Sequence, residues 1–231
     1  GGTGSLILHY VLEGRQRRFI RRAFQQYLAP AVIEALLADP DNLRLGGEKR
    51  ELTIFFSDVA GFTGLAERLE PEEVTALLNE YLSAMTDILL EEGATIDKYE
   101  GDAIIAFWNA PLDQPDHPAR AVRAVLRCRR RLAAMEPDLE ARFGAPLRAR
   151  IGVNTGEVVV GNMGSRQRFD YTFFGDAGNL AARLEGANKA FGTECLITEE
   201  TRKRLPAGQP VRTIARLGVV GRQGPVTVHE P

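Results

Sequence analysis

Side chains that bind zinc or form disulfide frameworks are scarce in this sequence. Its 231 residues include two cysteines and three histidines, and these five never occur at the spacing of metal-ligand motifs. Neither a cysteine and histidine zinc site nor a disulfide scaffold is therefore expected. Low cysteine usage is typical of a reducing compartment, and we expect a cytoplasmic location.

Long hydrophobic runs and an excess of one charge are missing as well. The main apolar stretch, residues 6–12, is far shorter than the roughly 18–20 residues that cross a bilayer, so the chain is expected to be soluble. Lys and Arg number 29 against 31 Asp and Glu, a net charge of -2. This balance gives no global attraction to nucleic acid, and any phosphate site must be local.

The remaining composition is that of a folded protein. Apolar residues make up 44% and charged residues 26% of the chain, close to the averages for soluble domains. A chain of this length fits one domain and a short extension. We predict a catalytic or binding domain over residues 48–231, preceded by a separate segment over residues 1–47.

The N-terminal segment combines a basic cluster with an amphipathic pattern. Five arginines lie within residues 15–22, and two interpretations stay open: the cytoplasmic flank of a membrane or sensor region, or a solvated helix face. Apolar residues spaced by three or four over residues 24–37 predict an amphipathic helix. Gly46 and Gly47 are interpreted as a hinge.

From residue 51 the pattern alternates between strands and helices. The long helix is predicted to begin at Pro71, a residue favoured at the first helical position. Strands are predicted at 52–56, 94–99, 103–108, 147–154, 157–160, 169–173, 194–197, 213–217 and 226–229, and helices near 62–69, 71–93, 118–135 and 176–189. This order predicts an α+β fold, ferredoxin-like at its centre, with an antiparallel-rich sheet and helices on one face.

Two aspartates are placed to bind a hard cation. Asp58 directly follows an apolar strand, and Asp102 lies in the predicted hairpin turn after residues 94–99. Both turns are expected at one edge of the sheet. Magnesium takes one or two protein carboxylates and completes its shell with water and substrate phosphates. An aspartate that only serves a turn is the alternative.

Three sequence motifs around these residues resemble the class III nucleotidyl cyclase catalytic domain. The motifs are Phe56-Ser57-Asp58-Val59-Ala60-Gly61-Phe62-Thr63, Lys98-Tyr99-Glu100-Gly101-Asp102-Ala103, and Gly175-Asp176-Ala177-Gly178-Asn179-Leu180-Ala181-Ala182-Arg183-Leu184-Glu185. The resemblance runs from about residue 50 to residue 230. It implies the family's fold, preceded here by the N-terminal helix, and an adenylate or guanylate cyclase that acts as a dimer.

The resemblance also implies a catalytic arrangement. Asp58 and Asp102, with the Val59 carbonyl, would hold two magnesium ions, for which manganese can substitute. The ribose 3′-hydroxyl would then attack the α-phosphorus of its own nucleotide, releasing pyrophosphate. Asn179 would orient the ribose and Arg183 would stabilise the charge on the reacting phosphate.

Base choice is implied by two further positions. Lys98 would donate to adenine N1, and the Thr172 hydroxyl would accept from the exocyclic amine. Guanine has the opposite pattern at both atoms, so this pair predicts ATP as the substrate and cyclic AMP as the product. Threonine here resembles a subgroup stimulated by bicarbonate, a regulation that the sequence does not establish.

Two arginines carry open alternatives. Arg150 matches a family arginine that reaches the phosphates, and a solvated strand-end arginine is the alternative. Val220 replaces a phosphate-binding lysine that the family often has. Arg222, two residues later, would then bind phosphate from the partner subunit, or it is a solvent-facing hairpin residue.

The expected assembly is a homodimer with shared sites. Asp58 and Asp102 would come from one subunit and Lys98, Thr172 and Asn179 from the other, together with Arg183, so two identical subunits form two complete sites. The helix over residues 24–37 would link the dimer to an upstream region. A catalytically silent dimerisation module stays open because of Val220. A response-regulator receiver is disfavoured, since it needs another acidic pair at the end of an earlier strand, and Glu48 and Glu51 are poorly placed for that role.

Overall fold

The computed structural model describes residue 33 and residues 46–144, 146–165, 169–218 and 224–231. The strands in chain order are β1 Gly46–Val59, β2 Thr95–Glu100, β3 Ala103–Trp108, β4 Ala149–Gly164, β5 Phe169–Phe174, β6 Cys195–Thr198, β7 Arg212–Leu217 and β8 Val226–Glu230. The helices are α1 Phe62–Ala66, α2 Pro71–Glu91, α3 His117–Phe143, α4 Asp176–Phe191 and α5 Glu199–Arg202. Within these ranges, no helix is long and apolar enough to span a bilayer.

The strands form one mixed sheet, which confirms the predicted α+β class. Their order is β2-β3-β1-β4-β6-β8-β7, and β5 pairs with β4 off this path. β4 runs parallel to β6, whereas the other pairs in the sheet are antiparallel. The central pair is therefore β1 with β4, and the β2–β3 hairpin extends the sheet beside β1.

The β1–β4 ladder is longer than the sequence pattern predicts. β4 is one continuous strand, whereas two strands, 147–154 and 157–160, are predicted. It stays continuous because the backbone of β1 pairs with it along the whole length of β1. Gly46 and Gly47 are not a hinge: they pair with Asn162 and Gly161 at the start of this ladder. The domain boundary at residue 48 stays a prediction.

Helices cover both faces of the sheet, so the prediction of one covered face is wrong. Phe55 of β1 packs among apolar residues of α2 and α3. The preceding residue, Ile54, packs instead with Ala177 and Ala181 of α4. Successive strand residues point to opposite faces, and both faces of β1 are apolar. The fold therefore buries each face under different helices.

The two long helices begin with favourable local chemistry. α2 has Pro71 in its first turn and a capping box in which the Glu70 backbone N–H donates to Glu73 at 3.0 Å. α3 continues past its predicted end at residue 135, through Pro137, to Phe143. Leu139 in this extension is fully buried, so packing favours the longer helix. Cys128 of α3 and Cys195 of β6 are buried, unlinked thiols.

α4 lies unusually close to β4, and glycine makes this possible. A Cβ on Gly152 would lie 2.2 Å from the Ala181 oxygen and 2.4 Å from the Glu185 nitrogen. The buried Asn188 amide also donates to the Ile151 carbonyl at 2.9 Å. These contacts fix α4 on the sheet and so set the position of every side chain it carries. The predicted helix over residues 24–37 lies outside the described residues, except for Ile33, which is helical and buried.

Candidate active site

An acidic cluster lies where β1 ends and the β2–β3 hairpin turns. Asp58 is the penultimate residue of β1, and Asp102 follows Gly101, whose φ of 64° suits glycine in this tight turn. The Val59 backbone N–H donates to Asp102 Oδ2 at 3.0 Å. This bond joins two segments 43 residues apart, so the fold brings together the two aspartates that the sequence analysis singled out.

The local environment raises the pKa of Asp102 to about 6. Burial is the largest cause, and a hydrogen bond and charge repulsion from Asp58 add to it, while the Val59 N–H acts in the opposite direction. A cation beside the two carboxyl groups would oppose this rise in the pKa of Asp102. The pair is therefore suited to hold a positively charged ligand.

Arg150 and Glu185 complete the cluster. Arg150 Nη2 donates to Asp58 Oδ2 at 3.0 Å, and Arg150 Nε lies 3.3 Å from Glu185 Oε1. The Arg150 side chain is 22% exposed, so it is not the isolated solvated arginine of the alternative interpretation. Burial and the Asp58 charge raise the pKa of Glu185, and Arg150 opposes that rise. Arg150 thus lies between two carboxylates of its own chain.

The chemistry of the acidic cluster fits magnesium better than a soft metal. Asp58 and Asp102 supply carboxylate oxygens, and Val59 supplies a backbone carbonyl at the end of the strand. Among the described residues there is no group of three or more His, Cys, Asp or Glu side chains placed to hold a metal. A site with two carboxylates suits an ion that takes its other ligands from water and phosphate.

A second polar group joins β2 to β5. Thr172 Oγ1 donates to Asp97 Oδ2 at 3.0 Å, and Lys98 Nζ lies 4.0 Å from the same oxygen. The fold thus brings together Lys98 and Thr172, the two residues expected to read the base. Burial raises the pKa of Asp97, while Lys98 and the Thr172 hydrogen bond oppose the rise.

α4 exposes the two residues expected to act on the ribose and the reacting phosphate. Asn179 and Arg183 are both exposed and four residues apart, which places them on one face of the helix. The opposite face of α4 carries the buried Ala177, Leu180 and Ala181. Arg222 and Val220 lie outside the described residues.

A cavity of about 620 Å³ lies away from these groups. It lies between the first turn of α4, the start of α5 and β8, and its lining includes Asn154, Glu157, Glu199 and Thr227. None of the predicted site residues lines it. This cavity is therefore not the site that the sequence analysis predicts.

The sequence analysis missed two of these residues. Glu185 belongs to the third quoted motif, and its i,i+2 spacing from Arg183 gave no sign that it faces Arg150. Asp97 directly precedes Lys98, and in a regular strand adjacent residues point to opposite faces. The pairing of β2 with β3 shifts register between Ile96 and Lys98, and such a bulge redirects side chains. No signal in a single sequence predicts that bulge.

Comparison with known proteins gives this geometry a context. The family model for the Adenylate and Guanylate cyclase catalytic domain matches residues 47–228. A curated relative, adenylate cyclase 1 of Rhizobium meliloti (strain 1021), is 34% identical over 182 residues. The match covers 79% of this chain and 27% of that relative, so the chain spans about a quarter of the relative's length.

Solved structures of similar proteins include enzymes of both base specificities. The adenylyl cyclase CyaB from P. aeruginosa is 37% identical with a TM-score of 0.75, and the match covers 80% of this chain and 95% of that one. The guanylyl cyclase Cya2 is 35% identical with a TM-score of 0.71, over 80% of this chain and 93% of that one. Overall similarity therefore does not separate ATP from GTP as the substrate.

Proposed function

The chain belongs to the adenylate and guanylate cyclase catalytic domain family, and from this membership we propose that it converts ATP to 3′,5′-cyclic AMP and pyrophosphate. The observation that carries the proposal is the acidic pair, Asp58 and Asp102, fixed beside each other by the Val59 N–H. Two similar proteins named for adenylate cyclase activity support it.

The acidic pair and the Val59 carbonyl would hold two Mg²⁺ ions per site, with Mn²⁺ as a substitute. When bound, these ions lower the pKa of the ribose 3′-hydroxyl and neutralise phosphate charge. In this structure Arg150 forms an ion pair with Asp58. It would turn from Asp58 towards the substrate phosphates once other positive charge reaches the carboxylates.

The remaining residues would position the nucleotide for a displacement within one molecule. The ribose 3′-oxygen forms a bond to the α-phosphorus, the bond from that phosphorus to the bridging oxygen breaks, and pyrophosphate leaves. The hydroxyl proton passes to solvent. Asn179 holds the ribose in place, and the Arg183 guanidinium donates to the charge that grows on the reacting phosphate. Lys98 and Thr172 bind the adenine edge.

A homodimer would complete each site. Val159 and Phe174 face each other across the β4–β5 ladder, and they are 40% and 77% exposed. Exposed large apolar residues that lie together are typical of protein interfaces. A second copy on this surface would bring Asn179 and Arg183 of one subunit towards the acidic pair of the other. We expect the chain to bind ATP and a second copy of itself and to be linked to an upstream membrane or sensor region. We do not expect it to bind nucleic acid.

One observation favours a second candidate function. Val220 stands where the family often has a lysine that binds phosphate. A catalytically silent dimerisation module is therefore the alternative. Arg222 would supply the missing charge from the partner subunit if the chain is active. Retention of Asp58, Asp102, Asn179 and Arg183 favours the enzyme.

Product identification separates these possibilities. The chain is incubated with ATP or GTP and Mg²⁺ or Mn²⁺, and the products are identified by mass spectrometry. We expect cyclic AMP and pyrophosphate, with less product from GTP. Asp58→Ala protein serves as the inactive control. Absence of both cyclic nucleotides under every condition contradicts the enzyme, and preferential formation of cyclic GMP contradicts the base choice.

A further inference from the structure

Thr172 makes its side-chain hydrogen bond to a group that almost no solvent reaches. The acceptor, Asp97, has a side chain that is 3% exposed, and its Oδ2 receives the Thr172 hydroxyl at 3.0 Å. The two residues are 75 positions apart in sequence, so the contact depends on β2 and β5 being held side by side. Within the described residues, Asp97 Oδ1 has no hydrogen-bond partner.

The direction of this bond follows from chemistry. An ionised carboxylate has acceptor positions only, while a threonine hydroxyl has one proton and two lone pairs. Burial raises the pKa of Asp97, and the Lys98 ammonium, 4.0 Å from Asp97 Oδ2, opposes that rise and favours the ionised form. In the structure the Thr172 hydroxyl is the donor of this bond. Once this proton is committed to Asp97, the hydroxyl can only accept hydrogen bonds from any other group.

We propose that Asp97 is a positioning residue for base specificity, which orients the Thr172 hydroxyl so that only its lone pairs face the purine. The inference rests on the proposed roles of Lys98 and Thr172 at the base edge. Adenine presents a donor amine at C6, and guanine presents an acceptor oxygen there. A threonine that can only accept pairs with the amine and leaves the guanine oxygen without a donor.

The β2 bulge makes the arrangement possible. Asp97 lies at the register shift between Ile96 and Lys98, so it and Lys98 approach each other although they are adjacent in the strand. Lys98 supplies a hydrogen-bond donor for adenine N1. Asp97 accepts the Thr172 proton, so the Thr172 oxygen is left as an acceptor for the adenine amine. The two adjacent residues thus produce one donor and one acceptor that match the adenine edge.

The test compares base preference rather than activity alone. Values of kcat/KM for ATP and GTP are measured at pH 8 for the wild type, Asp97→Asn and Asp97→Ala. Asp97→Ala removes the acceptor and frees the Thr172 proton to donate to guanine, so we expect the GTP to ATP ratio to rise about tenfold, the effect of one hydrogen-bond preference. Asp97→Asn keeps an amide oxygen that can accept the same proton, so we expect a smaller rise. Asp170→Asn, which removes an exposed carboxylate two residues from Thr172, is the control and should not raise the ratio, because the Asp170 charge raises the pKa of Asp97 and its loss favours the accepting form.

A double variant shows whether the effect passes through Thr172. In the Thr172→Val background, which has no hydroxyl, Asp97→Ala is expected to change the ratio by less than about twofold. Equal losses with both nucleotides in Asp97→Asn and Asp97→Ala, with an unchanged ratio, would overturn the inference and leave Asp97 a structural residue. A tenfold change in the GTP to ATP ratio in the Thr172→Val background would also overturn the inference.

Measurements of nucleotide binding test the role of Asp97 independently of whether the chain is an active cyclase. Dissociation constants of 3′-deoxy-ATP and 3′-deoxy-GTP, which lack the attacking hydroxyl, are measured by calorimetry for the same proteins. A wild type that binds 3′-deoxy-ATP but forms no cyclic AMP contradicts the enzyme, and the effect of Asp97→Ala on the binding ratio then decides the inference. If neither nucleotide binds, both proposals fail. Circular dichroism checks that each variant is folded.

Discussion

Arg150 donates from Nη2 to Asp58 Oδ2 at 3.0 Å, so a cation of the chain itself neutralises one member of the acidic pair. Glu185 lies on the other side of the same guanidinium, 3.3 Å from its Nε. A metal ion that binds Asp58 therefore competes with an arginine. The strength of metal binding depends on how easily that arginine leaves.

We expect Arg150→Gln to lower the thermal stability of the metal-free protein and to increase the stabilisation that Mg²⁺ produces. Losing a partly exposed ion pair costs about 1 kcal/mol, which corresponds to a fall of about 2–4 °C in Tm for a domain of this size. The uncompensated carboxylates then bind Mg²⁺ more tightly, and the ion raises Tm more than in the wild type. Thermal melts in EDTA and across a Mg²⁺ titration measure both effects.

Arg148→Gln is the matched control for this prediction. The Arg148 side chain is 65% exposed, and its guanidinium lies 3.7 Å from Glu136. We expect its Mg²⁺ response to equal that of the wild type. A smaller Mg²⁺ shift in Arg150→Gln than in the wild type would show that Arg150 does not compete for Asp58.

Complementation between two inactive variants tests the shared sites. Asp102→Ala and Asn179→Ala should each reduce turnover of ATP by about 10²–10³, the usual loss for a transition-state contact. In an equal mixture, half of the dimers are mixed and each has one intact site, so about a quarter of wild-type activity should return. If the mixture is no more active than its components, each site is built within one chain.

Phe174→Asp is expected to dissociate the dimer and reduce activity with it. The Phe174 side chain is 77% exposed at the end of β5, and a charge there would have to be buried without a partner in an interface. Sedimentation velocity and specific activity across protein concentration measure the effect. Leu112→Asp is the control, because Leu112 is 54% exposed but lies outside the β4–β5 surface. Equal weakening by both substitutions would contradict this interface.

Gly152→Ala and Gly186→Ala should change stability in opposite directions. The new methyl group at residue 152 would overlap the backbone of α4, and overpacking of this kind costs about 1–3 kcal/mol or more. Around Gly186, an exposed residue of α4, nothing lies within 4 Å of the new atom, so alanine should stabilise the helix by about 0.4–1 kcal/mol. Urea unfolding measures both. Tolerance of Gly152→Ala would contradict the close approach of α4 to β4.

The buried His117 should make folding stability depend on pH. Burial lowers the pKa of His117 below 6.5, although Glu51, 3.8 Å away, opposes the shift. The unfolded state therefore binds more protons between the lowered pKa and 6.5. The stabilising effect of the neutral ring is complete above pH 6.5 and is lost as the pH falls towards the folded pKa. The raised pKa of Asp102 contributes a slope of opposite sign below about pH 6, so urea unfolding between pH 5 and 8 is compared between the wild type and a variant without the His117 ring.

The control for the pH prediction is His117→Gln, which cannot titrate. Its free energy of unfolding should lack the part of the pH dependence that comes from His117, so the difference between wild type and variant isolates that part. Thr53 Oγ1 lies 2.7 Å from His117 Nδ1, and glutamine keeps a polar group there. An NMR titration that gives His117 a pKa of 6.5 or above would contradict the prediction.

The sequence alone was sufficient for the elements that carry the proposed chemistry. These elements are an apolar strand before Asp58, a hairpin at Asp102 and a helix with Asn179 and Arg183. Each is a local sequence pattern, and such patterns predict secondary structure because strands and helices have different hydrophobic periods. The family resemblance rests on the same contiguous motifs. Where these patterns are strong, the predicted elements and the observed ones agree.

Only the tertiary structure decided which side chains meet. Arg150 facing Asp58, and Asp97 accepting from Thr172 through a bulge in β2, join residues 92 and 75 positions apart. Strand pairing and the close contact of α4 with Gly152 set these distances, and no local spacing encodes them. The chain's sequence therefore determines which groups are available for chemistry, and the pairing of its strands determines which of them act on one another.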